Sequence, residues 1–300
     1  MTGSSQWPYG IAPPEYRLPD GTHVGAVHLQ VSDLSRSLVY YEQVLGLRAQ
    51  RVTDRSAILT PHGDERTLVT LETRPGVTRS RRGAFGLFHF AILLPDPAAL
   101  GRFAAHIGAL GVEVGMADHL VSRSFYLSDP DGLGIEVYAD RPRDTWRHHG
   151  RELAMTTDPL DVQAVIDAGG GEPWQGAPPG TTMGHVHLHV GSLAAAEAFY
   201  HRALGFDKTV WNYPGALFMA AGGYHHHLGT NVWSAGPKPS ADQARLLAWE
   251  LILPSEEDVA AAAQGLRDAG EAVEETADAT SAADPWGTRL LVRRGSSPQL

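Results

Sequence analysis

The chain carries two copies of one pattern, and this internal repeat constrains its fold more than any other feature. Residues 31–47, VSDLSRSLVYYEQVLGL, align with residues 190–206, VGSLAAAEAFYHRALGF. Further along each copy, DPDG at 129–132 matches DPWG at 284–287. Because these landmarks keep their order along the chain, they indicate two homologous halves.

Each half divides again into two similar units. Val24–Val31 alternates apolar and polar residues, which predicts a strand. Asp33 is a suitable N-cap for a helix that runs to about Leu45, and Gly46 ends that helix. The same order of strand, helix and further strands begins again near residues 87, 183 and 246. The sequence therefore predicts four βαβββ units, an α+β architecture.

Pro- and Gly-rich stretches suggest where these units begin and end. The predicted organisation comprises an N-terminal arm (1–23), a first half (24–140), a linker (141–182) with one helix (158–168), a second half (183–294) and a tail (295–300). In the second unit, which ends the first half, strands are predicted at 87–94, 112–115, 122–128 and 133–139. In the second half, they are predicted at 183–190, 207–220, 225–233, 246–253, 271–276 and 289–293.

Composition restricts the chemistry that such a fold can support. The chain has 15 His and no Cys, so a metal site would use imidazole nitrogen and carboxylate oxygen. A net charge of −10 gives no broad electrostatic attraction to nucleic acid or to an anionic membrane surface. No long apolar run and no signal-peptide pattern are present, which predicts a cytoplasmic protein.

The repeat resembles the vicinal-oxygen-chelate superfamily, which includes glyoxalase I, bleomycin-resistance proteins and extradiol dioxygenases. The resemblance covers roughly residues 24–293 and implies paired units that form a cupped sheet around a divalent metal. Residues 117–136, ADHLVSRSFYLSDPDGLGIE, resemble the extradiol dioxygenase signature, although Ala117 departs from its usual glycine. The wider run is most similar to the two-half catechol 2,3-dioxygenases of the CatE type.

This resemblance implies a triad of two His and one carboxylate. Glu136 and His89 occupy the family's ligand positions in the second unit. The third position is Ala26 in the first unit, which cannot bind metal, and His185 in the third. In the fourth unit, the positions that match the ligands are Ala248 and Leu291. We therefore predict that the second and third units pair around the metal, while the first and fourth pair without one.

Three further histidines share a strand face with the ligand positions. His28 lies two residues beyond Ala26 on the same strand face, roughly 6.6 Å away at about 3.3 Å per residue. That displacement disfavours His28 as a replacement ligand. His187 and His189 share the face of His185 and are expected to line the cup or to form hydrogen bonds in the core.

The resemblance also implies three catalytic groups. His225, in the run GGYHHH, best matches the family's acid–base histidine, and His226 and His227 remain alternatives. His119 is expected to hydrogen-bond a substrate or oxygen atom, and Tyr126 to contact a catecholic oxygen. For Trp211, Tyr213 and Trp233, core packing is the favoured interpretation over a place in the pocket wall.

The leading functional hypothesis is an extradiol dioxygenase that cleaves a catechol with O₂ and non-haem Fe(II), with Mn(II) accepting the same ligands. One alternative is a glyoxalase-like metal-dependent lyase or isomerase, which the absence of Asp and Glu from residues 225–233 disfavours. The other is a non-catalytic ligand-binding protein, which would not need a triad. The fold is compatible with a homo-oligomer.

Overall fold

Two eight-stranded mixed sheets dominate the computed structural model, which describes residues 7–276 and 279–295. Residues 1–6 of the predicted arm and 296–300 of the predicted tail lie outside these ranges. The α+β class predicted from the repeat is confirmed. Within the described ranges, no helix has both the length and the apolar character needed to cross a membrane.

The first unit has the predicted strand and capped helix. Asp33 accepts a hydrogen bond from the backbone N–H of Arg36 at 3.0 Å, which satisfies a free donor of the first helical turn. Its elements are β1 (His23–Gln30), α1 (Leu34–Gln43), β2 (Arg48–Gln50), β3 (Ser56–Thr60) and β4 (Val69–Glu72).

The second unit follows the same plan. Asp96 caps its helix by accepting from the N–H of Ala99 at 2.7 Å. Its second strand starts at Gly115, so the predicted strand at 112–115 is wrong in position. The elements are β5 (Gly86–Leu93), α2 (Pro97–Ala109), β6 (Gly115–Asp118), β7 (Ser122–Ser128) and β8 (Gly134–Asp140).

The linker is more structured than predicted. Its helix begins after Asp161, whose carboxylate accepts from Ala164 N–H at 3.0 Å. Asp158, the predicted start, instead forms a backbone bridge to Asp118, so that boundary is wrong. The linker contains a 3₁₀ turn (Arg143–Thr145), the hairpin strands β9 (His148–His149) and β10 (Glu152–Leu153), and α3 (Val162–Ala168).

The third unit departs from the predicted strands at two points. The strand predicted at 207–220 is interrupted at 211–215, and the strand predicted at 225–233 begins only at Leu228. The histidine triplet 225–227 therefore lies in a loop. The elements are β11 (Thr182–His189), α4 (Leu193–Ala196), a π-helical segment (Glu197–Ala203), β12 (Asp207–Val210), β13 (Ala216–Ala220) and β14 (Leu228–Asn231).

The fourth unit contains one strand that the sequence analysis missed, β17. Its helix is capped by Ser255, whose side-chain oxygen accepts from the backbone N–H of Asp258 at 3.1 Å. The elements are β15 (Arg245–Leu253), α5 (Glu256–Asp268), β16 (Val273–Glu275), β17 (Thr280–Ala283) and β18 (Arg289–Arg294).

The units pair across the two halves. One sheet has the order β12-β13-β14-β11-β5-β8-β7-β6 and joins the third unit to the second. The other has the order β16-β17-β18-β15-β1-β4-β3-β2 and joins the fourth unit to the first. In the former, antiparallel β5 and β11 place His89 opposite His187. The predicted pairing of the two middle units is confirmed, and each sheet takes one unit from each half.

Within each half, a buried tyrosine joins the two sheets. Tyr41 of α1 donates to Asp129 at 3.3 Å, and Tyr200 of the third unit donates to Asp284 at 2.9 Å. Both aspartates begin the DP-x-G turns that mark the repeat, and backbone N–H groups of each turn also donate to them. In each half, the turn therefore connects the helical segment of one unit to the next unit, through the tyrosine–aspartate hydrogen bond.

Asp129 gives a testable pH effect on stability. Burial, together with the charge of Asp131, raises its pKa to about 6 despite donors from Leu133 and Tyr41. The folded protein therefore holds this proton more tightly than the unfolded chain. Its stabilising contribution is present below about pH 4 and is lost as the pH rises to about 6.

We expect Asp129→Asn to gain stability relative to the wild type between these pH values, by up to roughly 3 kcal/mol at 1.36 kcal/mol per pKa unit. Urea denaturation of both proteins at intervals from pH 4.5 to 7 measures the difference. A difference that does not change with pH would contradict the raised pKa.

Candidate metal centre

Three buried side chains converge where β5, β8 and β11 lie side by side. Nε2 of His89 and Nε2 of His185 each lie 3.0 Å from Oε2 of Glu136, and the two nitrogens are 3.3 Å apart. None of the three residues is more than 5% exposed. The structure thus brings together the three predicted ligands, two from the first half and one from the second.

The separations of these atoms fit a divalent metal. At metal–ligand distances of roughly 2.1 Å, neighbouring ligands at right angles lie about 3.0 Å apart. The three measured distances match three mutually adjacent positions of an octahedral site. Two imidazoles and one carboxylate in this arrangement leave the opposite face free, as in the facial triad of non-haem iron enzymes.

The electrostatics keep Glu136 and His185 in their metal-binding forms. Burial alone would raise the pKa of Glu136, but His185 and His89 hold it well below its usual range, so the carboxylate is ionised. Burial lowers the pKa of His185 to about 4, against the opposing effect of Glu136, so this imidazole is neutral. Metal binding therefore does not have to displace protons from either group at neutral pH.

A cavity of about 310 Å³ opens over the three residues. Its walls are largely apolar, and within residues 7–276 and 279–295 no Lys or Arg lines it. The lining residues are Phe88, His89, His119, Tyr126, Glu136, Met155, Thr156, Thr157, His185, His187, Tyr213, Phe218, His226 and Trp233. A cavity of this size and lining can hold a small, largely apolar molecule.

His119 and Tyr126 form a hydrogen-bonded pair on one wall. Nδ1 of His119 lies 2.5 Å from the carbonyl oxygen of Thr156, and its Nε2 lies 2.6 Å from the Tyr126 hydroxyl. Since a carbonyl only accepts, Nδ1 carries the proton, and the neutral ring accepts from Tyr126. Burial and the charge of Glu136 raise the pKa of Tyr126 well above its usual range, so the hydroxyl stays protonated.

The histidine triplet presents one ring to the cavity. His226 is in the cavity wall, with its ring 4.1 Å from that of His185 between centroids. His225 is fully buried behind it and does not line the cavity. Instead, Nδ1 of His225 lies 2.7 Å from Nδ1 of His226, and its Nε2 lies 3.0 Å from Oδ1 of Asp140. His227 packs further away, against Tyr224.

The other cup contains a different cluster. Its positions that match the triad hold Ala26, Ala248 and Leu291, as the sequence alignment predicts. Glu250 occupies the interior instead, 3.1 Å from His28 and 3.2 Å from Arg293. His28 therefore pairs with a carboxylate of the fourth unit and lies in a different sheet from the triad.

The flanking histidines of β11 have distinct environments. His187 lines the cavity and its Nε2 lies 2.9 Å from Asn231 Nδ2, while His189 Nδ1 lies 2.7 Å from Asn231 Oδ1. These positions agree with the expectation that both residues line the cup or form hydrogen bonds.

Several cavity residues were missed by sequence reasoning. Met155, Thr156 and Thr157 belong to the predicted linker, which carries no periodic pattern that would place it over the cup. Tyr213 and Trp233 also line the cavity. Tyr213 packs against a buried cluster as well, as expected, whereas the preference for core packing was wrong for Trp233, which is 48% exposed. Trp211 is not among the lining residues and packs against the core.

Paired βαβββ units, a cupped sheet and a candidate metal cluster at its centre define a vicinal-oxygen-chelate protein. The model of the Glyoxalase/Bleomycin resistance protein/Dioxygenase superfamily matches residues 23–137 and 182–290, and the chain belongs to that family.

Known proteins similar to this chain include an enzyme and two solved structures. The chain is 44% identical to a catechol-2,3-dioxygenase of Bacillus subtilis (strain 168) over 273 residues, which cover 89% of this chain and 95% of that protein. Its fold is similar to that of a putative dioxygenase from Bacillus subtilis, with a TM-score of 0.64 at 12% identity, covering 93% of this chain and 86% of the other. It is also similar to glyoxalase I from Zea mays, with a TM-score of 0.56 at 19% identity and coverage of 91% and 92%.

Proposed function

We propose that this protein is an extradiol dioxygenase that inserts O₂ into the ring of a catechol, using Fe(II) held by His89, Glu136 and His185. The observation that carries the proposal is the convergence of these three ligand atoms beneath a cavity that also contains His119 and Tyr126. The 44% identity to a catechol-2,3-dioxygenase supports the same activity. Mn(II) accepts this ligand set as well.

When bound, the metal ion supplies open positions for the two catechol oxygens and the electron transfer that O₂ chemistry requires. The chain supplies orientation and exclusion of water. The aromatic walls formed by Phe218 and Trp233 suit the face of a catechol ring. The Tyr126 hydroxyl, which donates to His119, would contact a substrate oxygen.

The acid–base role predicted for His225 is better supported for its neighbour, His226. A proton carrier must come within hydrogen-bonding reach of the reacting group, and among the three histidines of the triplet only His226 lines the cavity. His226 would take a proton from the catechol hydroxyl and return it to an oxygen atom during ring opening. Burial lowers its pKa well below the usual range, so the ring is neutral before substrate binds.

Anaerobic loading with Fe²⁺, followed by catechol and air, tests the proposed function. We expect one Fe²⁺ per chain and a yellow ring-opened product. Absorbance measures the formation of this product, and mass spectrometry detects the addition of both oxygen atoms. Bound iron without ring cleavage of catechol or simple substituted catechols would instead favour a glyoxalase-like lyase or isomerase.

The cavity also predicts selectivity among catechols. The described part of the chain contributes no Lys or Arg to its lining and so offers no partner for a carboxylate on the substrate. Burying an unpaired carboxylate costs several kcal/mol. We expect kcat/KM for 4-methylcatechol to exceed that for 3,4-dihydroxyphenylacetate by about a hundredfold or more.

A cation introduced at the cavity mouth should reduce the difference in kcat/KM between the uncharged and the carboxylated catechol. Thr157 is exposed there, and its hydroxyl contacts the hydroxyl of Tyr213 at 2.7 Å. Thr157→Arg is expected to improve kcat/KM for the carboxylated substrate selectively. Equal values for both substrates in the unmodified protein would contradict the assignment of an apolar, uncharged site.

A further inference from the structure

The strand that supplies Glu136 also carries two residues that connect it to the histidine triplet. Glu136, Tyr138 and Asp140 alternate along β8 and so share one face. Tyr138 and Tyr224 join their hydroxyls at 2.7 Å, and Tyr224 donates to Oδ1 of Asp140 at 3.2 Å. The same oxygen atom lies 3.0 Å from Nε2 of His225. Asp140 of the second unit thus forms hydrogen bonds with two residues of the loop that precedes β14 in the third unit.

Asp140, His225 and His226 form a series of hydrogen bonds, and the acceptor at its start determines the direction of each bond. The Asp140 carboxylate can only accept, so Nε2 of His225 carries a proton. In a neutral His225, Nδ1 is then unprotonated and must accept the hydrogen bond that joins it to His226 at 2.7 Å. His226 therefore carries its proton on Nδ1, and its Nε2 is left with a free lone pair.

The position of the His226 ring is consistent with this order. The ring is 6% exposed and packs between His185, at a centroid distance of 4.1 Å, and Phe218, at 4.9 Å. Among residues 7–276 and 279–295, Nε2 of His226 has no hydrogen-bond partner, while Nδ1 is engaged by His225. The ring is therefore oriented by the hydrogen bond between its Nδ1 and His225, and its Nε2 is available on the cavity side.

We propose that Asp140 and His225 are positioning residues that fix His226 in its Nδ1–H tautomer with Nε2 directed to the substrate cavity. This inference rests on the proposed function for its kinetic consequence, but not for its structural content. The arrangement follows the logic of a catalytic triad, in which a carboxylate orients one imidazole, with a second imidazole added to the chain. It explains why two adjacent buried histidines face each other through Nδ1.

The close approach of the two units at this point depends on a glycine. A Cβ built on Gly184, next to His185, would lie 1.8 Å from the Tyr138 hydroxyl oxygen. Tyr138 can therefore reach Tyr224 only because residue 184 has no side chain. These hydrogen bonds thus depend on the close contact of the Tyr138 side chain with Gly184 of β11, across the intervening strand β5.

Nitrogen-15 NMR of the Zn²⁺-loaded protein tests the tautomer without any turnover. We expect His226 to show a protonated Nδ1 and an unprotonated Nε2, and His225 the reverse, with the two rings assigned through His226→Asn and His225→Asn. In Asp140→Asn, the amide can donate to His225, which would reverse the order and place a proton on Nε2 of His226. A protonated Nε2 of His226 in the unmodified protein would overturn the proposal.

The kinetics of Fe²⁺-loaded Asp140→Asn provide a second test of the proposal. We expect kcat to fall by about tenfold or more, with KM for catechol and iron content unchanged, because only the orientation of the proton carrier is altered. Glu250→Gln is the matched control, since it removes a carboxylate from a histidine in the other cup and should leave kcat unchanged. Unchanged kcat in Asp140→Asn with an unchanged tautomer would overturn the proposal. If the unmodified protein cleaves no catechol, the proposed function fails, and the NMR result still decides the tautomer.

Discussion

His185→Ala is expected to abolish tight metal binding and to lower ring cleavage by more than about a hundredfold. His185 is the candidate ligand that the second half contributes to a cluster otherwise formed by His89 and Glu136. Loss of residues that merely orient metal ligands already costs about 10- to 100-fold in affinity or activity, so loss of a ligand should exceed that range. Metal content per chain and the rate of catechol cleavage measure the effect.

His28→Ala is the matched control for this substitution. His28 lies on the equivalent first strand of the other sheet, where it contacts Glu250 instead of the triad. This variant should retain its metal ion and its turnover. Full iron content in His185→Ala would show that the centre does not join the two halves, and the assignment of the three ligands would fail.

His226→Ala is expected to lower kcat by about 10²- to 10⁴-fold while the iron content remains unchanged. This is the usual contribution of a positioned acid–base group, and the candidate metal ligands are not altered. Single-turnover measurements with Fe²⁺-loaded protein would separate loss of the proton-transfer step from loss of substrate binding.

The third histidine of the triplet provides the control. His227 is equally buried but packs against Phe206 and Tyr224, and its Nδ1 accepts from Ala221 N–H at 3.2 Å. His227→Ala should therefore retain iron and turnover. Loss of iron from His226→Ala would make His226 a ligand, and a normal kcat would remove it from the reaction.

The candidate ligands could be predicted because they lie on regular strands. Side chains at every second position share a face, so an alignment of the units is enough to compare His185 with Ala26 and Glu136 with Leu291. The DP-x-G turns fix the alignment of the final strands. The prediction that the middle units pair followed from these comparisons, and the hydrogen bonding of β5 with β11 confirms it.

The histidine triplet shows where this reasoning stops. His225 and His226 are adjacent in a loop before β14, and loops have no period that determines which side chain faces inward. Gly222 and Gly223 precede them with φ values of +60° and +61°, a left-handed conformation that turns the chain sharply. Only the folded loop shows that His226 lines the cavity and that His225 contacts Asp140.

The sequence alone determined the four-unit plan, the capped helices and the residues able to bind a metal ion. Each of these follows from local periodicity, from capping chemistry or from comparison of equivalent positions. The tertiary structure decided which ring of the triplet faces the substrate cavity and which linker residues cover it. Those features depend on contacts between segments far apart in the chain, such as Asp140 with His225 and Thr156 with His119, and no local pattern encodes them.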